Sequence, residues 1–129
     1  MIVNIPEMVA ELRAAFEGYE MALMSNDVAA LDALFWDSPH TIRYGGAENL
    51  YGAAAIQAFR GARSPVGLAR ELSQTVITTF GEDFGTASTL YRRLEGGRTG
   101  RQMQSWVRLP EGWRVVAAHV SFLDFPFPQ

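Results

Sequence analysis

Few residue types in this chain can do chemistry, and their positions narrow the choice further. Arg43 sits in the stretch HTIRYG, His40 to Gly45, where Thr41, Ile42 and Tyr44 favour a strand and Gly45-Gly46 end it. Facing solvent, its guanidinium is a solubilising group; facing a pocket, it can grip an anion. Tyr19 offers a phenol near the N-terminus. Towards the C-terminus, WRVVAAHVSFLDF carries His119 and Ser121, and the preceding RQMQSWVRL carries Gln104 and Ser105. The chain has no cysteine, so thiolate nucleophiles, disulfides and cysteine-ligated metals drop out. His40 and His119 are the only histidines; with scattered carboxylates they do not compose a metal site. A glycine-rich phosphate loop, a G-x-S-x-G elbow and an H-E-x-x-H helix are all missing.

The elements that must position these groups follow from spacing. Asn4, Pro6 and Glu7 read as a capping box with an early helical proline. Met8, Leu12, Phe16, Tyr19 and Leu23 then recur at helical intervals and share one face. An aromatic in such a stripe ordinarily belongs to the core, with its hydroxyl satisfied locally. Ser25-Asn26-Asp27 ends this helix and caps a short second one, DVAALDALF. Pro39 opens the strand of Arg43, and Ala53 to Arg63 forms a further helix that Ser64-Pro65 stops. Turn signals at Gly81-Glu82-Asp83, Gly96-Gly97 and Pro110-Glu111-Gly112 divide residues 70 to 123 into strands rich in Val, Thr, Phe, Tyr and Trp. Helices grouped first and an antiparallel meander grouped afterwards indicate an α+β fold, with the helices covering one face of a curved sheet.

Strand alternation assigns faces. Trp113, Val115, Ala117, His119 and Ser121 share one face of the last strand, opposite Val116, Ala118, Val120 and Phe122. The first set is the more polar and is expected to line a pocket; a hydrogen-bonded core histidine is the alternative reading of His119. The hairpin register decides its neighbour. A three-residue loop brings Ser105 to the His119 face, and a two- or four-residue loop brings Gln104. For Arg43, periodicity alone buries the Ile42 side and turns the arginine to solvent. None of Glu48, Glu71, Glu82 or Asp83 sits in an inward pattern. Because both faces of the last strand are apolar in part, a homodimer through the sheet face is expected.

Composition sets the class. A chain of 129 residues, 48% hydrophobic and 19% charged, fits a single globular domain spanning 1–129. Its net charge of −3 does not point to nucleic acid or an anionic membrane. No apolar run reaches the length of a membrane span, and the N-terminus lacks the basic start of a signal or transit peptide. A cytoplasmic location is expected.

The order of elements ending in GWRVVAAHVSF resembles the cone-shaped NTF2-like (SnoaL-like) superfamily. RYGGAENLYGAAAIQAFRGAR followed by GRQMQSWVRLPEGWRVVAAHVS is similar to the AtzH-like group within it, over nearly the whole chain. That group includes 1,3-dicarboxyurea hydrolase of cyanuric acid breakdown and the oxalurate-catabolism protein HpxZ. Met103 departs from the pattern, which has a small polar residue there. The resemblance implies an NTF2-like cone with its sheet wrapped around the N-terminal helices. It also implies a catalytic pair, the helix tyrosine and the arginine of the RYG strand, here Tyr19 and Arg43. The implied reaction is decarboxylating amide hydrolysis of a small anionic N-carboxylated urea, giving allophanate, or chemistry on an oxalurate-type substrate, with no metal or cofactor. Arg43 would hold a carboxylate through its planar fork, with His119, Gln104 and Ser121 orienting the substrate. The alternatives are a non-catalytic anion-binding or accessory protein of an amidase pathway, and a SnoaL-like isomerase or hydratase, which needs a carboxylate base in the cone.

Overall fold

The computed structural model describes residues 1–128. Its elements run α1 (Pro6–Met24), α2 (Val28–Leu34), β1 (Ile42–Tyr44), β2 (Asn49–Tyr51), α3 (Ala53–Ala62), β3 (Arg70–Phe80), β4 (Phe84–Arg93), β5 (Thr99–Leu109) and β6 (Gly112–Leu123). This is the α+β order expected, with one addition. β1 and β2 join the four-stranded meander into a six-stranded sheet of order β2-β1-β6-β5-β4-β3, and β1 lies parallel to β6 while every other pair is antiparallel. Among the described residues no helix is long and apolar enough to cross a membrane.

The stripe Met8, Leu12, Phe16, Tyr19 and Leu23 of α1 is buried as its spacing requires, and it meets Ala87, Trp106, Trp113 and Val115 on the inner face of the sheet. Asp27 caps α2 by accepting from the Ala30 amide at 3.1 Å. Asn4 does not cap α1, whose N-cap is Ile5. Instead Asn4 takes a left-handed φ of 61° and spans to β3: its amide donates to the Thr79 carbonyl, and its Oδ1 accepts from the Thr79 amide, both at 2.9 Å. A side chain that can serve a helix end equally serves a strand edge, and local sequence does not distinguish the two.

Register shifts curve the sheet. β3 slips between Ser73 and Val76, where Gln74 has a φ of 54°, and β6 slips so that Ser105 faces Ala117 while Trp106 faces Val115. Val116 is therefore left without a partner, a β-bulge that bends the strand. Alternation changes sign there. Trp113 and Val115 point inward before it; Ala118, Val120 and Phe122 point inward after it, and Ala117, His119 and Ser121 turn to the outer face.

Close packing of α1 on β4 gives a direct test. A Cβ built on Gly85 would overlap Leu12 Cδ2 and lie 2.9 Å from the Thr78 carbonyl oxygen, whereas one on Gly18 of α1 meets nothing within 4 Å. Gly85→Ala is expected to destabilise by about 1–3 kcal/mol through overpacking. Gly18→Ala should stabilise by about 0.5–1 kcal/mol through helix propensity. Urea denaturation of both variants reads the opposite signs.

Candidate functional site

β1 is short, and its pairing rather than its own pattern sets its faces. Arg43 lies beside Ala118 of β6, and Ile42 and Tyr44 lie beside Ala117 and His119. Since Ala118 points inward, so does Arg43. Its side chain is 15% exposed and opens onto a cavity of about 460 Å³. Periodicity had turned this arginine to solvent; the parallel neighbour reverses that. From across the cavity comes Tyr19, 6% exposed, carried there by the buried stripe of α1 and leaning on Phe35 with ring centroids 6.2 Å apart. The phenol and the guanidinium thus face one space.

The residues expected to orient a ligand are elsewhere. His119 is exposed on the outer face of the sheet, edge-on to Tyr44 with ring centroids 5.8 Å apart. Ser121 shares that face, its Oγ accepting from Arg101 Nε at 3.0 Å. The bulge at Val116 is the reason, since the expected alternation ran unbroken through it. Leu109 opposes Gly112, a two-residue connection, but the same bulge sets Met103 rather than Gln102 opposite His119 and so turns Gln104 away from the His119 face. Ser105 therefore shares the outer face with His119, as does Met103, whose departure from the family pattern leaves the cavity untouched. Gln104 does point inward, yet its Oε1 accepts from Trp106 Nε1 at 3.1 Å in the core, outside the cavity lining.

What does line the cavity is arginine. Besides Arg43 it is walled by Arg63 after α3, Arg70 of β3, Arg93 of β4 and Arg98 before β5, with Tyr91 and Gln102 on the floor. Carboxylates answer some of this charge. Glu48 Oε1 accepts from Arg43 Nη1 at 3.0 Å, Glu20 accepts from Arg70, and Asp124 from Arg98 at 3.0 Å. Arg63 and Arg93 have no carboxylate partner among the described residues, and Arg63 Nε and Nη2 are shielded from solvent with no hydrogen-bond partner there. Burial, then the charges of Arg60, Arg43 and Arg93, hold the Arg63 guanidinium below its ordinary pKa; the nearby Tyr19 works the other way. Burial alone would also lower Arg70, but its hydrogen bonds and Coulomb attraction to Glu20 outweigh this and raise it. Tyr91 is pushed up by burial, which the neighbouring arginines only partly offset.

This positive cleft, with Arg93 and Arg98 exposed to solvent and Arg43 and Arg70 largely buried, belongs to a chain of net charge −3, an arrangement that draws small anions. Glu48, expected not to point inward, is a cavity residue. Both of its oxygens are held, Oε2 accepting from the Ala47 amide at 3.2 Å. A Cβ on Gly45 would overlap Glu48 Oε1, so a larger residue there would have to displace the Glu48 carboxylate from Arg43. Arg63 and Arg70 left little signal in the sequence. Arg70 precedes Leu72 by two positions and shares its inward face, a pattern that alternation could have flagged.

The sequence model of the AtzH-like family matches residues 1–125. The chain belongs to this family. No curated protein is similar to the AtzH-like chain, whereas solved structures are. A protein of unknown function from Pectobacterium atrosepticum SCRI1043, of the DUF3225 family, is 55% identical over 95% of each chain with a TM-score of 0.92. A cystatin-like fold protein from Burkholderia xenovorans LB400 is 51% identical, covering 98% of this chain and 99% of that one, with a TM-score of 0.93. An NTF2-like protein of unknown function from Pseudomonas putida KT2440, 20% identical over 92% and 95% with a TM-score of 0.77, shares the fold. The AtzH-like chain therefore has the NTF2-like, cystatin-like architecture.

Glu48 offsets the charge of Arg43 in the cavity, so removing its charge while keeping its shape should strengthen anion binding. Glu48→Gln is expected to bind oxalate about 3- to 10-fold more tightly, the worth of one partly buried ion pair. Isothermal titration calorimetry against the wild type reads this directly.

Proposed function

We propose that this protein is a cytoplasmic hydrolase of a small, planar, anionic N-carboxylated urea, converting 1,3-dicarboxyurea to allophanate by decarboxylating amide hydrolysis, or acting on an oxalurate-type relative. The observation that carries the reading is the joint placement of Tyr19 and Arg43 on a cavity whose arginines outnumber their carboxylate partners. Family membership supports it. A planar guanidinium matches a carboxylate through parallel hydrogen bonds, and in a low-dielectric cleft each such contact is stronger than in water.

In this mechanism Arg43 holds a terminal carboxylate and stabilises negative charge on the adjacent carbonyl oxygen as the transition state forms. The bond between the urea nitrogen and the departing carboxyl carbon breaks, its electron pair staying on the nitrogen and the carboxylate leaving as carbon dioxide, which water then hydrates. Tyr19 delivers the proton that this nitrogen needs and recovers it from water. Arg63 adds a second cationic contact, compensated when an anion binds.

The competing readings find less support. A purely accessory anion binder would have Arg43 in the cavity and Tyr19 turned away, but both line it. An isomerase or hydratase for an apolar substrate needs a free carboxylate base; Glu48 is in the cavity but bound to Arg43, and the walls are charged. For quaternary structure, the outer sheet face supports a homodimer: Met103 is 60% exposed beside His119 and Tyr44. Met103→Glu should shift such a dimer toward monomer in multi-angle light scattering; a variant that remains dimeric would place the interface elsewhere.

The catalytic assignment is tested by turnover of 1,3-dicarboxyurea. Tyr19→Phe should lower kcat by about 100-fold or more, because it removes the transferable proton and little else. Arg43→Lys keeps the charge but not the fork and should lower kcat/KM by about 100-fold. Activity unchanged in both variants would reject the assignment.

A further inference from the structure

Cationic groups explain how the cavity attracts an anion but not how it orients one. On the floor, β5 supplies a neutral group whose direction is fixed. Gln102 is 2% exposed and lines the cavity between Thr89 of β4 and Val120 of β6. Its Oε1 accepts from Arg70 Nη2 at 2.9 Å. Arginine only donates, so the carboxamide has one possible orientation at this contact. Arg70 is itself immobilised. Its Nε donates to Glu20 Oε2 at 3.0 Å, its Nη2 to Glu20 Oε1 at 2.5 Å, and its guanidinium lies 4.2 Å above the centre of the Tyr91 ring.

With the oxygen committed to Arg70, the amide nitrogen must face the other way. Gln102 Nε2 is shielded from solvent and has no hydrogen-bond partner among the described residues. A buried donor left unmet is destabilising, and a ligand that brings an acceptor relieves it. We infer that Gln102 is a specificity-determining residue whose Nε2 donates to a carbonyl or carboxylate oxygen of the bound substrate, with Glu20 and Arg70 as the positioning pair that keeps the amide in its donor orientation. The inference rests on the anionic-substrate reading above and deepens it. The substrate must present an acceptor towards β5 as well as a carboxylate to Arg43. A molecule offering an N–H or hydroxyl donor at that point sets donor against donor and is rejected.

The test uses oxalurate as the probe and the full chain. Gln102→Glu is nearly isosteric: one carboxylate oxygen still receives Arg70, while the other replaces the donor with a negative acceptor. This variant should melt no lower than wild type, yet bind oxalurate about 30- to 100-fold more weakly by calorimetry. In ¹⁵N-labelled wild type, the Gln102 side-chain NH₂ resonances should move downfield as oxalurate is added. Those resonances decide the matter even where the variant does not fold, because a merely structural glutamine would not respond. Wild-type affinity in Gln102→Glu, or static amide resonances while Arg43→Ala abolishes binding, would overturn this inference and leave the anionic-substrate reading intact. No oxalurate binding by wild type would overturn both.

Discussion

Positive charge held away from bulk water is the constraint around which this molecule is organised. A guanidinium out of water must be answered by an anion, by hydrogen-bond acceptors or by an aromatic face. Arg70 has all of these in Glu20, Gln102 and Tyr91. Arg60, buried behind the cavity, has Asp32 at 2.6 Å and the Phe35 ring at 4.7 Å. Arg43 has Glu48 and a more distant Phe59 ring at 5.6 Å. Arg63 has none for its Nε and Nη2. The gradation is informative: compensation is complete for Arg60 and Arg70, which tie elements together, and weakest for Arg63, whose Nε and Nη2 have no partner among the described residues although it lines the same cavity as Arg70. A deficit of this kind on a cavity wall is one that an anion would complete, and perturbed charges concentrate at functional sites.

Much of the scaffold was legible in the sequence because it rests on local rules. The α1 stripe, the Asp27 cap and the turns between the long strands all follow from spacing and turn chemistry, and all are present. The site was legible only in part, for identifiable physical reasons. His119 and Ser121 were assigned to the pocket by an alternation that a single unpaired residue, Val116, inverts. A bulge has no composition signature in VVAAH, since valine and alanine suit either a regular or a bulged strand. Residues before the slip keep their expected faces, and residues after it exchange them.

Arg43 failed in the opposite sense. A three-residue strand contains too few positions for a period to be read, so the balance of Ile42 against Arg43 carried no information about which faced inward. The parallel partner decided it, and that pairing spans more than seventy positions of sequence, from β1 to the end of the chain. Family resemblance singled out Arg43, which periodicity had turned to solvent, and paired it with Tyr19, which periodicity had turned inward without giving it a role. It did not bring Arg63, Arg70 or Gln102 into view. Those three depend on the β3 hairpin, the exit of α3 and the β5 register, which meet only in the folded molecule.

The consecutive residues Tyr19 and Glu20 show how tightly stability and chemistry are joined. On a helix they point about 100° apart, so a single placement of α1 delivers the phenol to the cavity and the carboxylate to Arg70 beside it. That placement is set one and two turns earlier by Leu12 and Phe16, which pack onto the sheet where Gly85 leaves room for Leu12. A rotation of α1 that withdrew Tyr19 would also withdraw Glu20, freeing Arg70 and with it the orientation of Gln102. The placement of the cavity phenol and the orientation of the Gln102 amide therefore share one mechanical origin in the packing of a helix on a curved sheet.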